Sequence, residues 1–459
     1  MEISKSKRTW IIIGAVLMTA TVQLSSAGLN NTMYAILSGM NGLQYYALLA
    51  TLSSLGMAIM CVIGGRIGDM IGRRAVILAG AVLSLASAIV MGLAQSLSVF
   101  IVARAVLSFG IGTFPGNAFV VAADVSDAKQ YPKVAALLTA TLMVATFLGS
   151  TIAGYLVDAG LIPAAIIYPG VVGLIGAVIA AAKMDKKPTT DGVRGKVDGI
   201  GMVLLAVFML SLCLSLNQGA NLGFGNPIII CGFVVAVVSL LALLKVEKKA
   251  EVPVIPLYLF KNKKYTGVII AGAFITFYEV VMASYVPVSG QALMGLSASI
   301  TGYFSLPRTI IAIVLAAPAA AWVVKNQAKN SAIGLAAAGL LAAVAFLGMI
   351  FVGAGSPAAL PFILIGITGF TEALKGASFR PLVISQLEQK DFGVGIGMMT
   401  ATGTLLMTIL LSIVGPVFTA VSAQNMGSAL RFVYIVTVCC ALIAVAITVF
   451  ATKDSKSKN

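Results

Sequence analysis

Gly64–Arg74 reads GGRIGDMIGRR and joins two long apolar runs near the start of the chain. Arg66, Arg73 and Arg74 are cations, which a bilayer retains on its cytoplasmic side. Asp69 lies close enough in sequence to pair with any of the three. The glycines of the stretch leave room for two helix ends to approach each other and for the chain to turn sharply. The stretch therefore predicts a short cytoplasmic connection between two membrane-spanning helices.

The composition of the whole chain agrees with a membrane protein. Of its 459 residues, 59% are hydrophobic and 10% are charged, and the mean hydropathy is +1.04. The apolar residues form runs long enough to cross a bilayer. The formal net charge of +15 comes from cations in the short connections between these runs, so it is a topology signal. We therefore predict an all-α integral membrane protein that is surrounded by lipid and has no nucleic-acid partner.

Basic charge occurs in alternate connections, which predicts the orientation of the spans. The remaining connections, which alternate with the basic ones, are almost uncharged and have Asp158 as their single charge. The positive-inside rule then gives about fourteen spans with both termini in the cytoplasm. We therefore predict a multi-pass protein of the cell's inner (plasma) membrane. The basic connections include KSKR, RIGDMIGRR, KMDKKPTTDGVRGK, FKNKK, KNQAKN and the tail KDSKSK.

The runs predict two six-helix bundles with two extra helices between them. The predicted domains are an N-terminal bundle over residues 1–183, a linker with the two extra helices and an interfacial segment over 184–264, and a C-terminal bundle with a tail over 265–459. The fourteen predicted helices cover about residues 10–37, 43–65, 75–95, 97–123, 134–157, 161–182, 199–216, 226–244, 266–288, 298–324, 331–351, 358–380, 393–421 and 429–451.

The opening stretch resembles the loop signature of the major facilitator superfamily, G-x-L-a-D-r-x-G-r-r, which lies between the second and third spans. Met70 stands where an arginine is usual. The resemblance implies a gate in which Asp69 and Asp124 pair with arginines, and the alternative is a loop that only fixes topology. The residues that carry the match or the gate are Gly65, Ile67, Gly68, Asp69, Gly72, Arg73, Arg74 and Asp124.

Other segments resemble the fourteen-span drug:proton antiporter branch of this superfamily. Arg104 precedes a glycine-rich face as in the fourth-helix signature, and Gly149 and Gly154 fit the G-P-x-x-G-G pattern of the fifth helix. In the first helix, Asn30 stands where the branch has an acid. The glycines suit either helix packing or gating, and Arg104 suits either a substrate cavity or the bracing of neighbouring helices.

The resemblance also implies which helices line a cavity. In a twelve-span member these are the first, fourth, seventh and tenth helices, which become the first, fourth, ninth and twelfth here. Polar and charged residues are rare in spans and are commonly functional. The candidates on these four helices are Gln23, Asn30, Asn31, Arg104, Glu279, Glu372 and Lys375.

Two carboxylates are candidates for carrying a proton, since the chain has no histidine. Lys375 lies one turn from Glu372 and favours its ionised form, which predicts a fixed ion pair. Glu279 has no basic residue one turn away on its own helix, and desolvation disfavours an ionised carboxyl. We therefore predict that Glu279 couples transport to protons. The alternative is a neutral Glu279 that is hydrogen-bonded to a neighbouring helix.

These patterns favour a monomeric secondary active transporter that moves a small amphipathic organic solute by alternating access, as a proton-coupled multidrug efflux antiporter does. The alternative is uptake or exchange of an organic anion such as a conjugated bile salt. An enzyme is disfavoured because no nucleophile–base pair or nucleotide-binding loop occurs. A channel is disfavoured by the two bundles and their gate-like signatures. The five cysteines lie inside apolar runs, so no cofactor, metal or disulfide framework is expected.

Overall fold

The computed structural model describes residues 5–127, 130–184, 199–248, 257–388 and 391–453. Within these ranges the chain is helical and has no β-strand. The helices are α1 Lys5–Gly39, α2 Tyr46–Ile71, α3 Arg73–Gly92, α4 Leu97–Gly112, α5 Phe114–Asp124, α6 Tyr131–Asp158, α7 Ile162–Lys183, α8 Gly199–Leu222, α9 Pro227–Glu247, α10 Lys263–Ser284, α11 Val286–Val288, α12 Ala298–Gly302, α13 Ser305–Lys325, α14 Gln327–Met349, α15 Ala359–Ile384, α16 Phe392–Ser422 and α17 Met426–Lys453.

Fourteen helical segments in the described ranges are long and apolar enough to span a membrane, which confirms the predicted number. Large apolar side chains remain exposed along these segments. On α9, for example, Ile228 is 72% exposed and Val238 is 60% exposed. Exposing such side chains to water is unfavourable, whereas contact with the hydrocarbon chains of lipids is favourable. The chain is therefore a multi-pass membrane protein.

The second helix continues beyond its membrane span, which covers Leu43–Gly65 as predicted. We expected it to end near residue 65, but α2 continues through the signature to Ile71, and α3 begins at Arg73. Gly72 is the single residue between them, with φ 96° and ψ 131°, and its N–H donates to the carbonyl oxygen of Gly68 at 3.0 Å. A side chain disfavours this backbone conformation, so a glycine permits the sharp turn. The basic charge therefore lies on helix ends rather than on a loop.

Some of the fourteen spans are interrupted. The fourth consists of α4 and α5, which meet at Thr113, with Pro115 in the first turn of α5. Proline is tolerated there because the first helical N–H groups have no partner within the helix. The tenth span, Ala298–Lys325, consists of α12 and α13.

The chain divides into two compact units. The first comprises Met1–Ser215, Pro227–Val254 and Ser297–Gly302, and the second comprises Leu216–Asn226, Ile255–Leu296 and Tyr303–Asn459. The short helix α12 thus belongs to the first unit. The predicted limits at residues 183 and 265, with a separate linker, stay predictions.

Both units use the same packing plan. In the first, α1 packs on α6 and α7, α3 packs on α4 and α7, and α2 packs on α4. In the second, α10 packs on α16 and α17, α14 packs on α15 and α17, and α13 packs on α15. α1–α7 form six spans, with α4 and α5 as one span, and α10 and α13–α17 form the other six. Numbered in order, both sets pair the first span with the fifth and sixth, the third with the fourth and sixth, and the second with the fourth. Each unit therefore contains a six-helix bundle of the same design, and the first unit also contains α9 and most of α8.

Candidate functional site

The second unit holds four charged side chains on three of its spanning helices, which we call the charge cluster: Glu279 on α10, Arg308 on α13, and Glu372 and Lys375 on α15. The Arg308 Nη2 atom lies 2.9 Å from the Glu372 Oε2 atom. The Lys375 Nζ atom contacts Glu279 Oε1 and lies 3.5 Å from Glu372 Oε2. Lys375 therefore sits between two carboxylates.

The two carboxylates of the charge cluster are held unequally. The Tyr278 hydroxyl donates a hydrogen bond to Glu372 Oε2 at 2.8 Å, in addition to the two cations near that carboxylate. The described contacts of Glu279 contain one ion pair, to Lys375. The Glu279 side chain is 31% exposed and that of Glu372 is 17% exposed. Glu372 is therefore the more firmly fixed and the more deeply buried of the two.

Helix geometry explains how these side chains meet. Glu372 and Lys375 are three residues apart and so lie on one face of α15. A Cβ atom on Gly369, one turn before Glu372, would lie 2.7 Å from the carbonyl oxygen of Arg308. The absent side chain lets α13 and α15 approach closely. Arg308 can therefore reach Glu372 with a well-formed hydrogen bond.

The expected surroundings of Glu279 are wrong in one respect. The prediction considered only its own helix, where no basic residue lies one turn away, but Lys375 reaches it from α15. The expected pairing of Glu372 with Lys375 is present as the longer contact. Arg308 was missed as a partner. Its signal in the sequence was a cation inside a predicted span, which has to be paired or hydrated.

Two amides predicted for the cavity serve packing inside the first unit. The Gln23 Nε2 atom on α1 donates to Thr146 Oγ1 on α6 at 2.8 Å. Asn31 is buried, and its Nδ2 atom donates to the carbonyl oxygens of Ser150 at 3.0 Å and Ala298 at 2.8 Å. The Asn31 Oδ1 atom accepts from the Thr301 hydroxyl at 2.9 Å. Asn31 thereby joins α1, α6 and α12, whereas the neighbouring Asn30 is half-buried.

Arg104 is a buried cation of the first unit. It is 2% exposed, and its Nε atom lacks a hydrogen-bond partner. Among the described residues no carboxylate forms an ion pair with it, and Tyr46 lies close enough to interact with it electrostatically. A permanent guanidinium charge in a bilayer is costly without a counter-charge. No described carboxylate therefore supplies the counter-charge of Arg104.

The gate-like signature in the first unit contains an ion pair. Arg73 Nη1 contacts Asp124 Oδ2, at the start of α3 and the end of α5 respectively. A Cβ atom on Gly68 would lie 2.9 Å from Asn117 Oδ1, so α2 and α5 are close at that point. Arg74 is half-buried, and Gly65 has open space around it. The side chain of Asp69 lies outside the described residues.

The small residues of α6 allow close packing in the first unit. A Cβ atom on Gly149 would lie 2.7 Å from Leu24 Cα on α1, and one on Gly154 would lie 2.5 Å from the Ala298 carbonyl oxygen on α12. The Asp158 carboxylate at the end of α6 accepts from the backbone N–H groups of Ala298 and Ser299 at 3.1 and 2.8 Å. Helix packing and gating were the two roles considered for Gly149 and Gly154. The close approaches of α6 to α1 and α12 are helix packing.

The family follows from comparison with known proteins. The sequence model of the Major Facilitator Superfamily matches residues 11–411. The chain belongs to this superfamily. The predicted resemblance is thereby confirmed. In the described ranges no three His, Cys, Asp or Glu side chains are grouped as metal ligands.

Curated relatives of this superfamily member are transporters. The chain is 26% identical over 313 residues to multidrug transporter protein MdtP of Bacillus subtilis, covering 68% of this chain and 58% of that protein. It is 24% identical over 251 residues to multidrug resistance protein 3 of the same organism, covering 54% and 49%. The uridine/deoxyuridine transporter of Lactococcus lactis is 23% identical, covering 53% and 52%. The chain thus spans about half the length of the curated relatives it matches.

Solved structures share the fold. The crystal structure of the POT family transporter PepTSo superimposes with a TM-score of 0.71 at 13% identity, covering 100% of this chain and 99% of the other. A bacterial homologue of the human lysosomal transporter Spinster, in an inward-facing and occupied conformation, gives a TM-score of 0.68 at 13% identity and 98% coverage of both chains. Family and structural neighbours are transporters, which confirms the prediction that the chain is not an enzyme.

Proposed function

We propose that this chain is a secondary active transporter that moves a small amphipathic organic solute by alternating access and couples this movement to protons. The observation that carries the proposal is the charge cluster of the second unit. Charged groups inside membrane spans are costly and commonly mark the path of a substrate, an ion or a proton. The cluster holds two carboxylates and two cations on helices of a superfamily member whose relatives are transporters.

Glu279 is the carboxylate that we assign to the proton. Protonating Glu372 disrupts contacts to Tyr278, Arg308 and Lys375, whereas protonating Glu279 disrupts its contact with Lys375. A neutral Glu279 leaves Lys375 free to move toward Glu372, which is already 3.5 Å away. Lys375 would thus keep a counter-charge in both states. The fuller set of partners around Glu372 favours a carboxylate that stays ionised.

The multidrug relatives support an efflux antiporter as the first candidate for direction and substrate. Two exchanging species, a proton and a solute, would compete for the second unit through the same carboxylate. A solute that carries a cationic group would take the place of Lys375 beside Glu279. The protein would act as a monomer in the plasma membrane with both termini in the cytoplasm, as the distribution of basic residues predicts.

A second candidate, transport of an organic anion such as a conjugated bile salt, is favoured by Arg104. This guanidinium is 2% exposed and forms no ion pair with any described carboxylate. An anionic headgroup would supply the missing counter-charge, and a guanidinium can hold a carboxylate or sulfonate with two parallel hydrogen bonds.

The signature at Gly64–Arg74 is proposed as a gate. The ion pair between Arg73 and Asp124 joins the start of α3, just after the turn at Gly72, to the end of α5. The gate would also include Gly65, Gly68, Asp69 and Arg74. Forming and breaking exposed pairs changes the free energy by roughly 0–1 kcal/mol. Such changes bias two access states of similar free energy without locking either.

The test is solute uptake into proteoliposomes that contain the purified full chain, under an imposed pH gradient. A panel of cationic dyes, neutral amphipaths, organic anions and bile salts is offered with the gradient in either direction. The proposal expects saturable accumulation of at least one solute that collapses with a protonophore. Accumulation of anions with loss in Arg104→Gln selects the second candidate. Accumulation that is independent of the pH gradient contradicts proton coupling, and flux that does not saturate indicates a channel.

A further inference from the structure

A cleft of about 360 Å³ opens in the second unit where α10 begins and α17 ends. Its volume is in the range of small-ligand sites. It belongs neither to the charge cluster nor to the signature at Gly64–Arg74. The lining residues are Lys263, Lys264, Gly267, Ile447, Phe450 and Ala451.

The mouth of the cleft is cationic. Lys263 is exposed and Lys264 is half-buried, and among the described residues no carboxylate pairs with either. Lys261, the last residue of the short 3-10 helix Leu257–Lys261 before α10, is exposed as well. The Asn262 side chain accepts hydrogen bonds from the N–H groups of Lys264 and Tyr265 at 3.1 and 3.2 Å. Because these amides are already satisfied, an anion would be bound by the lysine ammonium groups.

The interior of the cleft is apolar. A Cβ atom on Gly267 would lie 3.0 Å from the Ala451 Cβ atom, so α10 and α17 approach closely. Phe450 is 72% exposed and Ile447 is half-buried. Lys263 is the first residue of its span, and Phe450 lies near the end of the span Met426–Thr452. Cations therefore stand at the membrane boundary and an apolar surface lies beside them.

We propose that this cleft binds an anionic phospholipid. The phosphate would lie between the ammonium groups of Lys263 and Lys264, and an acyl chain would run along Gly267, Ile447 and Phe450. Basic pockets between spanning helices bind anionic lipid headgroups, and lysine side chains extend toward the membrane surface. The distribution of basic residues predicts that this end faces the cytoplasmic leaflet. The phosphate could come from a lipid headgroup or from a free phosphate ion. A free phosphate ion would contact the lysines but not the apolar surface, so the two ligands can be told apart.

The test is native mass spectrometry of the delipidated full chain, titrated with dioleoyl phosphatidylglycerol or dioleoyl phosphatidylcholine. The parent should bind phosphatidylglycerol more tightly. Lys263→Ala combined with Lys264→Ala should weaken that binding about 25-fold, or about fivefold for each lysine. Lys329→Ala is the matched control, because Lys329 is an exposed lysine in the first turn of α14, next to the capping residue Asn326 and outside the cleft. Equal binding of both lipids, or equal losses in control and double variant, overturns the proposal.

A second variant separates lipid from free phosphate. Phe450→Ala removes an exposed side chain, so the fold should be kept, and circular dichroism checks this. It should weaken phosphatidylglycerol binding severalfold and leave the binding of glycerol 3-phosphate unchanged. If glycerol 3-phosphate binds the parent as tightly as the lipid does, the site takes a soluble phosphate and the lipid proposal is wrong.

Discussion

Glu279 and Glu372 share the cation of Lys375, yet their other contacts differ. Glu372 also has Arg308 at 2.9 Å and the Tyr278 hydroxyl at 2.8 Å. Tyr278 is 1% exposed, and the Lys375 Nζ atom lies 5.8 Å from the centre of its ring. A carboxylate that is bound in this way fixes three helices, whereas one with a single ion pair can change its protonation state at less cost.

At the residue scale, Glu372→Gln should destabilise the protein more than Glu279→Gln does. The first change leaves Arg308 without its carboxylate in a buried position, and removing one partner of a buried pair costs roughly 3–5 kcal/mol. After Glu279→Gln, Lys375 still has Glu372 within 3.5 Å. Thermal unfolding in detergent shows which of the two variants is the less stable. Adding Arg308→Leu to Glu372→Gln should recover part of the loss, and no recovery would contradict the pairing.

At the scale of elements, the apolar runs specify the spans well because a bilayer demands about twenty apolar residues for each helix. The same runs do not show where a helix ends in water. The charges and glycines of Gly64–Arg74 resemble a loop, yet α2 remains helical to Ile71 and turns at Gly72 alone. A helix that leaves the hydrocarbon no longer needs apolar side chains, so hydropathy cannot mark its last turn.

Gly72→Ala should therefore impair the protein, whereas Gly65→Ala should not. At Gly72, with φ 96° and ψ 131°, a side chain is strained by roughly 1–3 kcal/mol. Gly65 is helical, and a Cβ atom there meets nothing within 4 Å, so alanine should be neutral or slightly stabilising. Expression level and unfolding temperature measure both variants. Equal expression and equal unfolding temperatures of the two variants would show that the turn does not require glycine at position 72.

The ion pair between Arg73 and Asp124 makes a second prediction at this scale. Asp124→Asn should change stability by roughly 1 kcal/mol or less and reduce the transport rate, because the proposed gate would lose a contact that biases its states. Asp127→Asn is the control, since Asp127 is 75% exposed and lies 3.5 Å from Arg8. Exchanging the charges, with Arg73→Asp and Asp124→Arg together, should restore part of the rate. Full transport by Asp124→Asn alone would leave the pair without a role in gating.

The candidate site was less predictable than the helices. Sequence patterns identify charged residues inside spans. The separation of three residues between Glu372 and Lys375 on one helix predicted their contact. The pairings with Arg308 and Glu279 depend on which helix faces place α10, α13 and α15 together, and neighbours along one helix do not contain that information. Asn31 shows the same limit, because its buried hydrogen bonds join helices far apart in sequence.

For the whole molecule, the two units repeat one packing plan, and the distribution of charge predicts the orientation of all fourteen spans. In a cysteine-free background, Phe224→Cys, between α8 and α9, should react with an impermeant maleimide added outside the cell. Thr189→Cys, in the polar stretch after α7, should react only after the membrane is opened. Labelling of both from the same side would contradict the predicted topology of the two extra helices.

The coupling of solute to protons is tested most directly by proton flux in proteoliposomes that contain a pH-sensitive dye. When a transported solute is added outside, the parent should move protons across the membrane at a rate that saturates with solute. Glu279→Gln should still exchange labelled solute for unlabelled solute but should show no solute-driven proton flux, because Lys375 can no longer alternate between two ionisable partners. Solute-driven proton flux at the parental rate in Glu279→Gln would contradict the account.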